Sequence, residues 1–459
     1  MSRIRFLVVW YSVAMRRCKT VFSFIIGSIL TLTPLSLRAE VKEFTLDNGL
    51  KVIISEDHKV PLATFQIWYR IGSRNEVSGE SGLSHFLEHM MFKGTPKYGA
   101  KAFSKVIQKN GGIDNAMTTK DYTMYFETLS SDRIGIAIDL EADRMSNLLL
   151  DPQETLAERD VVMEERRMRY DDDPQNSLLE SFVATSLMTH PYRRPVIGWM
   201  ADIASFQRDE LDSHYKKYYA PDNAFIVIAG DVNPEEIRKK IQSSFGAIRE
   251  GRPQKTHITK EPEQLGEKRI TLKKEAELPY ILMGYHTPVF PGEDSPGLEV
   301  LSTILSKGKS SRIYSSLVYE KKLALNAGAD YSSMNVDPFL FILWATAAPG
   351  KDIADVEKGL SAEIERSKSA PPSEMEIQKA KNQIEASFIF GQDSLYMQAM
   401  KLGLFEVIGG WRLMHAYLEG IRKVTPEDVQ RVARKYLTED NLTVGILIPK
   451  KGERVVHSH

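Results

Sequence analysis

Apolar and polar residues alternate from Glu43 to Ser55 (EFTLDNGLKVIIS) around Asp47-Asn48-Gly49, a pattern that predicts two strands joined by a tight turn. The run Ala63–Tyr69 (ATFQIWY) predicts a further strand, and Asn223–Ala229 (NAFIVIA) a buried one. Between them apolar residues recur at helical spacing from about Leu83, from Ile134 and from Gln153. Asn233-Pro234-Glu235-Glu236 carries the cap, first-turn proline and acidic first turn of a helix start. From Arg249 to Lys268 the periodicity stops, and Pro253, Pro262 and many charges predict a linker.

The same order then returns. Leu278-Pro279 opens YILMGYH as Val60-Pro61 opens ATFQIWY. Lys435-Tyr436 and Asp440-Asn441 precede LTVGILI as Lys217-Tyr218 and Asp222-Asn223 precede AFIVIAG. Both correspondences are separated by 218 positions, so the chain reads as one unit written twice. The predicted class is α+β, with two homologous domains, 40–248 and 269–459, joined by a linker over 249–268. Each is expected to be a mostly antiparallel or mixed sheet covered by helices, the two facing each other across a chamber.

Composition narrows the functions. Lys plus Arg number 60 and Asp plus Glu 61, so no global basic field exists to hold nucleic acid. The single cysteine, Cys18, excludes an intramolecular disulfide and a cysteine-based zinc site. Arg16, Arg17 and Lys19 precede an apolar stretch, Val21–Leu32, followed by Ser36-Leu37-Arg38-Ala39. Residues 1–39 therefore read as a secretory signal, and a periplasmic location is expected. The stretch is shorter than the ~20 residues of a membrane span, so none is expected in the mature chain.

The candidate chemistry lies in His85-Phe86-Leu87-Glu88-His89. On a helix, His85, Glu88 and His89 share one face. Two histidines one turn apart can aim both imidazoles at one metal ion, and Glu88 is placed to take a proton from the water that the metal activates. This is the inverzincin spacing. Zinc needs a third protein ligand, and the carboxylate-rich segment Glu154–Arg167 (ETLAERDVVMEERR) offers Glu154, Glu158, Glu164 and Glu165. Spacing alone does not choose among them; Glu158 and Glu165, two turns apart, share a face.

HFLEHMMFKGT, followed about 75 residues later by ERDVVMEERR, resembles the pitrilysin/insulinase family of zinc metallopeptidases, in its processing-peptidase-like branch of about 450 residues. The resemblance covers the mature chain. It implies a zinc-dependent endopeptidase for peptides or unfolded polypeptide segments, with one Zn2+ per chain held by His85, His89 and Glu165. Glu88 would be the general base, and Glu158 would stand behind a ligand. The stretch Asn110–Thr118 resembles the family's substrate-pairing edge strand, which places Asn115 and Ala116 against the peptide.

The second half lacks the metal set. Val300, Thr303 and Ile304 align with His85, Glu88 and His89, and Gln383 with Glu165. The family's second domain often supplies an arginine and a tyrosine seven residues apart; here Val318 and Leu325 occupy those places. The expectation is a heterodimer with a non-zinc paralogue that supplies the pair, a homodimer being the other possibility, although it would not restore the pair. Tyr319 or Tyr285 could stand in for the missing groups. The rival expectation, a non-catalytic structural or binding subunit of a larger complex, predicts damaged ligands, whereas all four first-domain residues are intact.

Overall fold

The computed structural model describes residues 41–251, 258–390 and 394–450. The expected signal, 1–39, and the middle of the expected linker lie outside the described residues.

The first turn forms as its sequence demands. Gly49 takes a φ of +87°, a conformation that favours glycine. The Asn48 amide donates to the carbonyls of Phe245 (2.8 Å) and Ile248 (3.0 Å), and its oxygen accepts the Leu50 N–H. Across this turn β1 (Val41–Thr45) and β2 (Lys51–Glu56) pair antiparallel. With β3 (Leu62–Tyr69), β4 (Ile113–Thr118), β5 (Thr123–Ser130) and β6 (Ala224–Gly230) they make a six-stranded sheet of order β1-β2-β6-β3-β5-β4. Only β2 and β6 run parallel in it.

The second sheet holds β7 (Lys268–Glu275), β8 (Tyr280–Thr287), β9 (Ala324–Tyr331), β10 (Phe339–Ala347) and β11 (Leu442–Lys450), in the order β7-β11-β8-β10-β9. Again one pair, β7 with β11, is parallel. Strand for strand it repeats β2-β6-β3-β5-β4. Strands β3 and β8, like β6 and β11, begin 218 residues apart. The chain is thus two homologous α+β domains with mixed sheets.

Helices α1 (Leu83–Met90), α2 (Ile134–Asn147) and α3 (Pro152–Arg166) belong to the first half, as does α4 (Pro174–Ser186). Helices α5 (Ser295–Ser306), α6 (Glu374–Phe390) and α7 (Leu395–Ile408) belong to the second. Phe86 and Leu87 of α1 and Ile138 of α2 bury against Phe65, Ile67 and Tyr69 on one face of the first sheet. The other face is covered from the second half: Ala399, Met400 and Leu402 of α7 pack on Trp68, Phe225 and Val227. The exchange is reciprocal, because Leu178 and Phe182 of α4 pack on Leu282, Leu340 and Leu447 of the second sheet. Gly403 lets α7 approach so closely that a Cβ there would sit 2.2 Å from the Trp68 ring. The face of each sheet that meets the other half is therefore covered in part by that half's helix. Among the described residues no helix is long and apolar enough to cross a membrane.

Candidate active site

Helix α1 begins at Gly82 (φ +96°), where the backbone of Ile197-Gly198 leaves no space for a side chain; a Cβ on Gly82 would lie 2.3 Å from the Ile197 oxygen. Its apolar residues Leu83, Phe86, Leu87 and Met90 are buried, which turns His85, Glu88 and His89 toward α3. Helix α3 starts at Asp151, whose carboxylate accepts the N–H groups of Gln153 (2.9 Å) and Glu154 (3.0 Å), with Pro152 at its first position. Arg166 anchors its far end, donating to both oxygens of Glu180 (2.8 and 3.0 Å) and to the Gly198 carbonyl (2.8 Å).

The crossing of α1 and α3 brings His85, His89 and Glu165 together, with one ligand atom of each within 4.8 Å of the others. Glu165 Oε2 lies 3.3 Å from His89 Nε2 and 3.8 Å from His85 Nε2. Tetrahedral zinc with bonds of about 2.0–2.1 Å sets its ligand atoms about 3.4 Å apart, so the spacing fits that ion. Glu165 Oε2 is also buried without a hydrogen-bond partner, as an oxygen meant for a cation would be. Its other oxygen is held by Arg169 at 2.8 Å.

The remaining glutamates have other places. Glu158 accepts from His89 Nδ1 at 2.9 Å and pairs with Lys93 on its other side. Glu164 is exposed and pairs with Arg167 at 2.9 Å, and Glu154 reaches Lys93 at 3.7 Å. Glu88 receives a hydrogen bond from Thr118 Oγ1, at the end of β4. Asn115 and Ala116 lie on β4, the sheet edge, where the Ala116 N–H donates to the Asn115 side chain at 2.9 Å.

The electrostatics follow from these contacts. Burial, then the neighbouring His89, pushes His85 down to about 4. Burial works against a charge on His89 as well, but Glu158 and Glu165 outweigh it and raise it to about 9. Glu158 pays a burial cost yet is drawn down to about 2 by His89 and Lys93. Burial raises Glu88 above the usual carboxylate value despite the Thr118 bond. Thr118, Lys93, Arg169 and Arg166 were not singled out by the sequence reading. Lys93 lies one turn beyond His89 and Arg169 one turn beyond Glu165, which a search for i, i+4 partners would have found; Thr118, and the contacts of Arg166 with Glu180 and Gly198, come together only through tertiary packing.

The second half has no counterpart. Val300 and Ile304 of α5 are buried in its core, and the one candidate metal cluster among the described residues is the first-half triad. Val318 is half-buried and Leu325 exposed. Arg312 is spent on Glu376 (2.7 and 3.0 Å), and Tyr285 is buried; Tyr319 is exposed.

Comparison with known proteins agrees with this division. Residues 51–198 match the model of the insulinase family (peptidase family M16), and residues 205–384 match that of the peptidase M16 inactive domain. The zinc protease PqqE of Helicobacter pylori is 32% identical over 409 residues, covering 88% of this chain and 92% of that one. The crystal structure of a protease from Helicobacter pylori superposes with a TM-score of 0.86 at 31% identity, covering 90% of this chain and all of that one. The chain belongs to the insulinase family, M16. In fold it also matches the periplasmic protease PqqL from Escherichia coli (TM-score 0.76, 18% identity), covering 90% of this chain and 48% of that one.

Proposed function

We propose that this chain is a zinc-dependent endopeptidase acting on peptides or unfolded polypeptide segments, with one zinc ion held by His85, His89 and Glu165. The observation that carries this reading is the convergence of those three ligand atoms, with the Glu88 carboxylate near enough to interact with the charges of His89 and Glu165. A zinc ion held by these three residues would supply a Lewis acid for the scissile carbonyl and would acidify the attacking water. Glu88 accepts the water's proton and returns it to the leaving amine, and its burial brings its basicity nearer to neutral pH. Glu158 orients His89, and Arg169 keeps Glu165 Oε2 turned toward the histidines. An extended peptide adds as a strand to the free edge of β4 at Asn115 and Ala116.

The chain works with a second family member, a non-zinc paralogue, that supplies donors for the developing oxyanion. This is supported by Val318 and Leu325, which cannot donate side-chain hydrogen bonds, and by the engagement of Arg312 with Glu376. A fold neighbour about twice as long, of which this chain matches 48%, also supports pairing of two such units. The signal-like residues 1–39 and that neighbour's periplasmic description favour action in the periplasm.

The test is zinc content together with hydrolysis of a quenched fluorescent peptide library, with Glu88→Gln as the blank. Turnover above the blank by the chain alone would make it a complete peptidase. Bound zinc without turnover would place the missing donors in a second chain. Failure to take up zinc would overturn the reading.

A further inference from the structure

The first N–H groups of a helix have no partner within it and are usually satisfied by a side chain at the cap. In α1 the local candidates are unavailable. Gly82 has no side chain and no space for one. Ser81, a good cap by residue type, spends its hydroxyl elsewhere, donating to Asp202 Oδ2 (2.5 Å) and accepting the Trp199 N–H (2.9 Å). Glu76 fills the role from outside the helix. Its Oε2 accepts the Gly82 N–H and its Oε1 the Ser84 N–H, both at 2.8 Å. Glu76 is 5% exposed, and among the described residues no Lys or Arg forms an ion pair with its carboxylate; Arg194 donates to its backbone carbonyl instead. Burying a carboxylate without a cation is costly. The start of α1, where the helix dipole also favours negative charge, offsets only part of that cost, and burial still raises the Glu76 carboxyl to about 7.

We propose that Glu76 is a positioning residue that fixes the first turn of α1 and thereby the imidazoles of His85 and His89. This rests on the reading of those histidines as zinc ligands. The Ser84 N–H held by Glu76 precedes His85 by one residue, so loosening it frees the first ligand directly. A glutamine at position 76 keeps one acceptor and turns an NH2 against the other N–H, whereas the carboxylate serves both.

The experiment measures zinc affinity of the full chain by chelator competition, and amide hydrogen exchange of α1, for wild type, Glu76→Gln and Ile138→Val. Ile138 is fully buried in α2 and reports the effect of a generic core lesion. The expected result is zinc affinity about 10–100-fold weaker in E76Q, with faster exchange over Leu83–Met90, and unchanged affinity in I138V. Should E76Q not fold, Glu76→Asp, which keeps the charge but is too short to reach both N–H groups, is read the same way. Zinc bound as tightly as in wild type, or weakened no more than in I138V, would overturn the proposal. If wild type takes up no zinc, the metal reading falls first and this one with it.

Discussion

His89 Nδ1 and Glu158 Oε1 are joined at 2.9 Å, and this one hydrogen bond decides what the other side of the imidazole does. With Nδ1 committed to Glu158, Nε2 is the nitrogen that faces Glu165 Oε2, 3.3 Å away, and the one whose proton a metal ion would have to displace. Lys93 pairs with Glu158 from the opposite side and keeps it ionised. The carboxylate therefore sets both tautomer and ring orientation.

Replacing Glu158 by alanine should weaken zinc binding about 10–100-fold without unfolding the chain. Chelator competition measures this, and an affinity equal to wild type would show that His89 needs no partner to be held.

Ala116→Pro removes the one outward N–H that the β4 edge offers at that position. If the peptide adds to this edge, KM should rise about tenfold while zinc content stays the same, since Ala116 is not among the three converging ligand residues. An unchanged KM would move the peptide elsewhere.

The exchanged helices tie the halves together. Phe182→Ala should cost about 3–5 kcal/mol by leaving a cavity against the second sheet, although Phe182 belongs to the first half. Gly403→Ala should cost about 1–3 kcal/mol by overpacking Trp68. In urea, hydrogen exchange should report one cooperative loss of both sheets. Separate transitions for the two sheets would contradict the coupling.

Asp294, in the second half, provides a pH signature apart from the candidate metal site. Its carboxylate accepts from Arg431 (2.5 Å), Lys435 (2.7 Å) and the Tyr436 hydroxyl (2.6 Å), which overcome a burial cost and lower it from 3.8 to about 2. A depressed folded value means that the stabilisation is present above pH about 4 and is lost as pH falls toward 2. Asp294→Asn should therefore lower the urea midpoint clearly at pH 6 and much less at pH 2.5; an equal loss at both would refute the ionic origin.

The sequence by itself determined what depends on near neighbours along the chain. The Asn48-Gly49 turn, the helix start at Asn233 and the common face of His85, Glu88 and His89 follow from backbone preference and periodicity. The duplication was legible because the two sheets kept the same spacing between β3 and β6 as between β8 and β11. Only tertiary structure decided which glutamate of α3 meets the histidines, because helical spacing makes Glu158 and Glu165 equivalent until the crossing point with α1 is fixed. Arg166, Gly198 and Gly82 fix that point, and they lie 116 positions apart at the extremes. The same holds for Glu76, which caps a helix six residues away while the local Ser81 is drawn to Asp202. The exchange of α4 and α7 likewise left no trace in the periodicity, since an apolar helix face reads the same whichever sheet covers it.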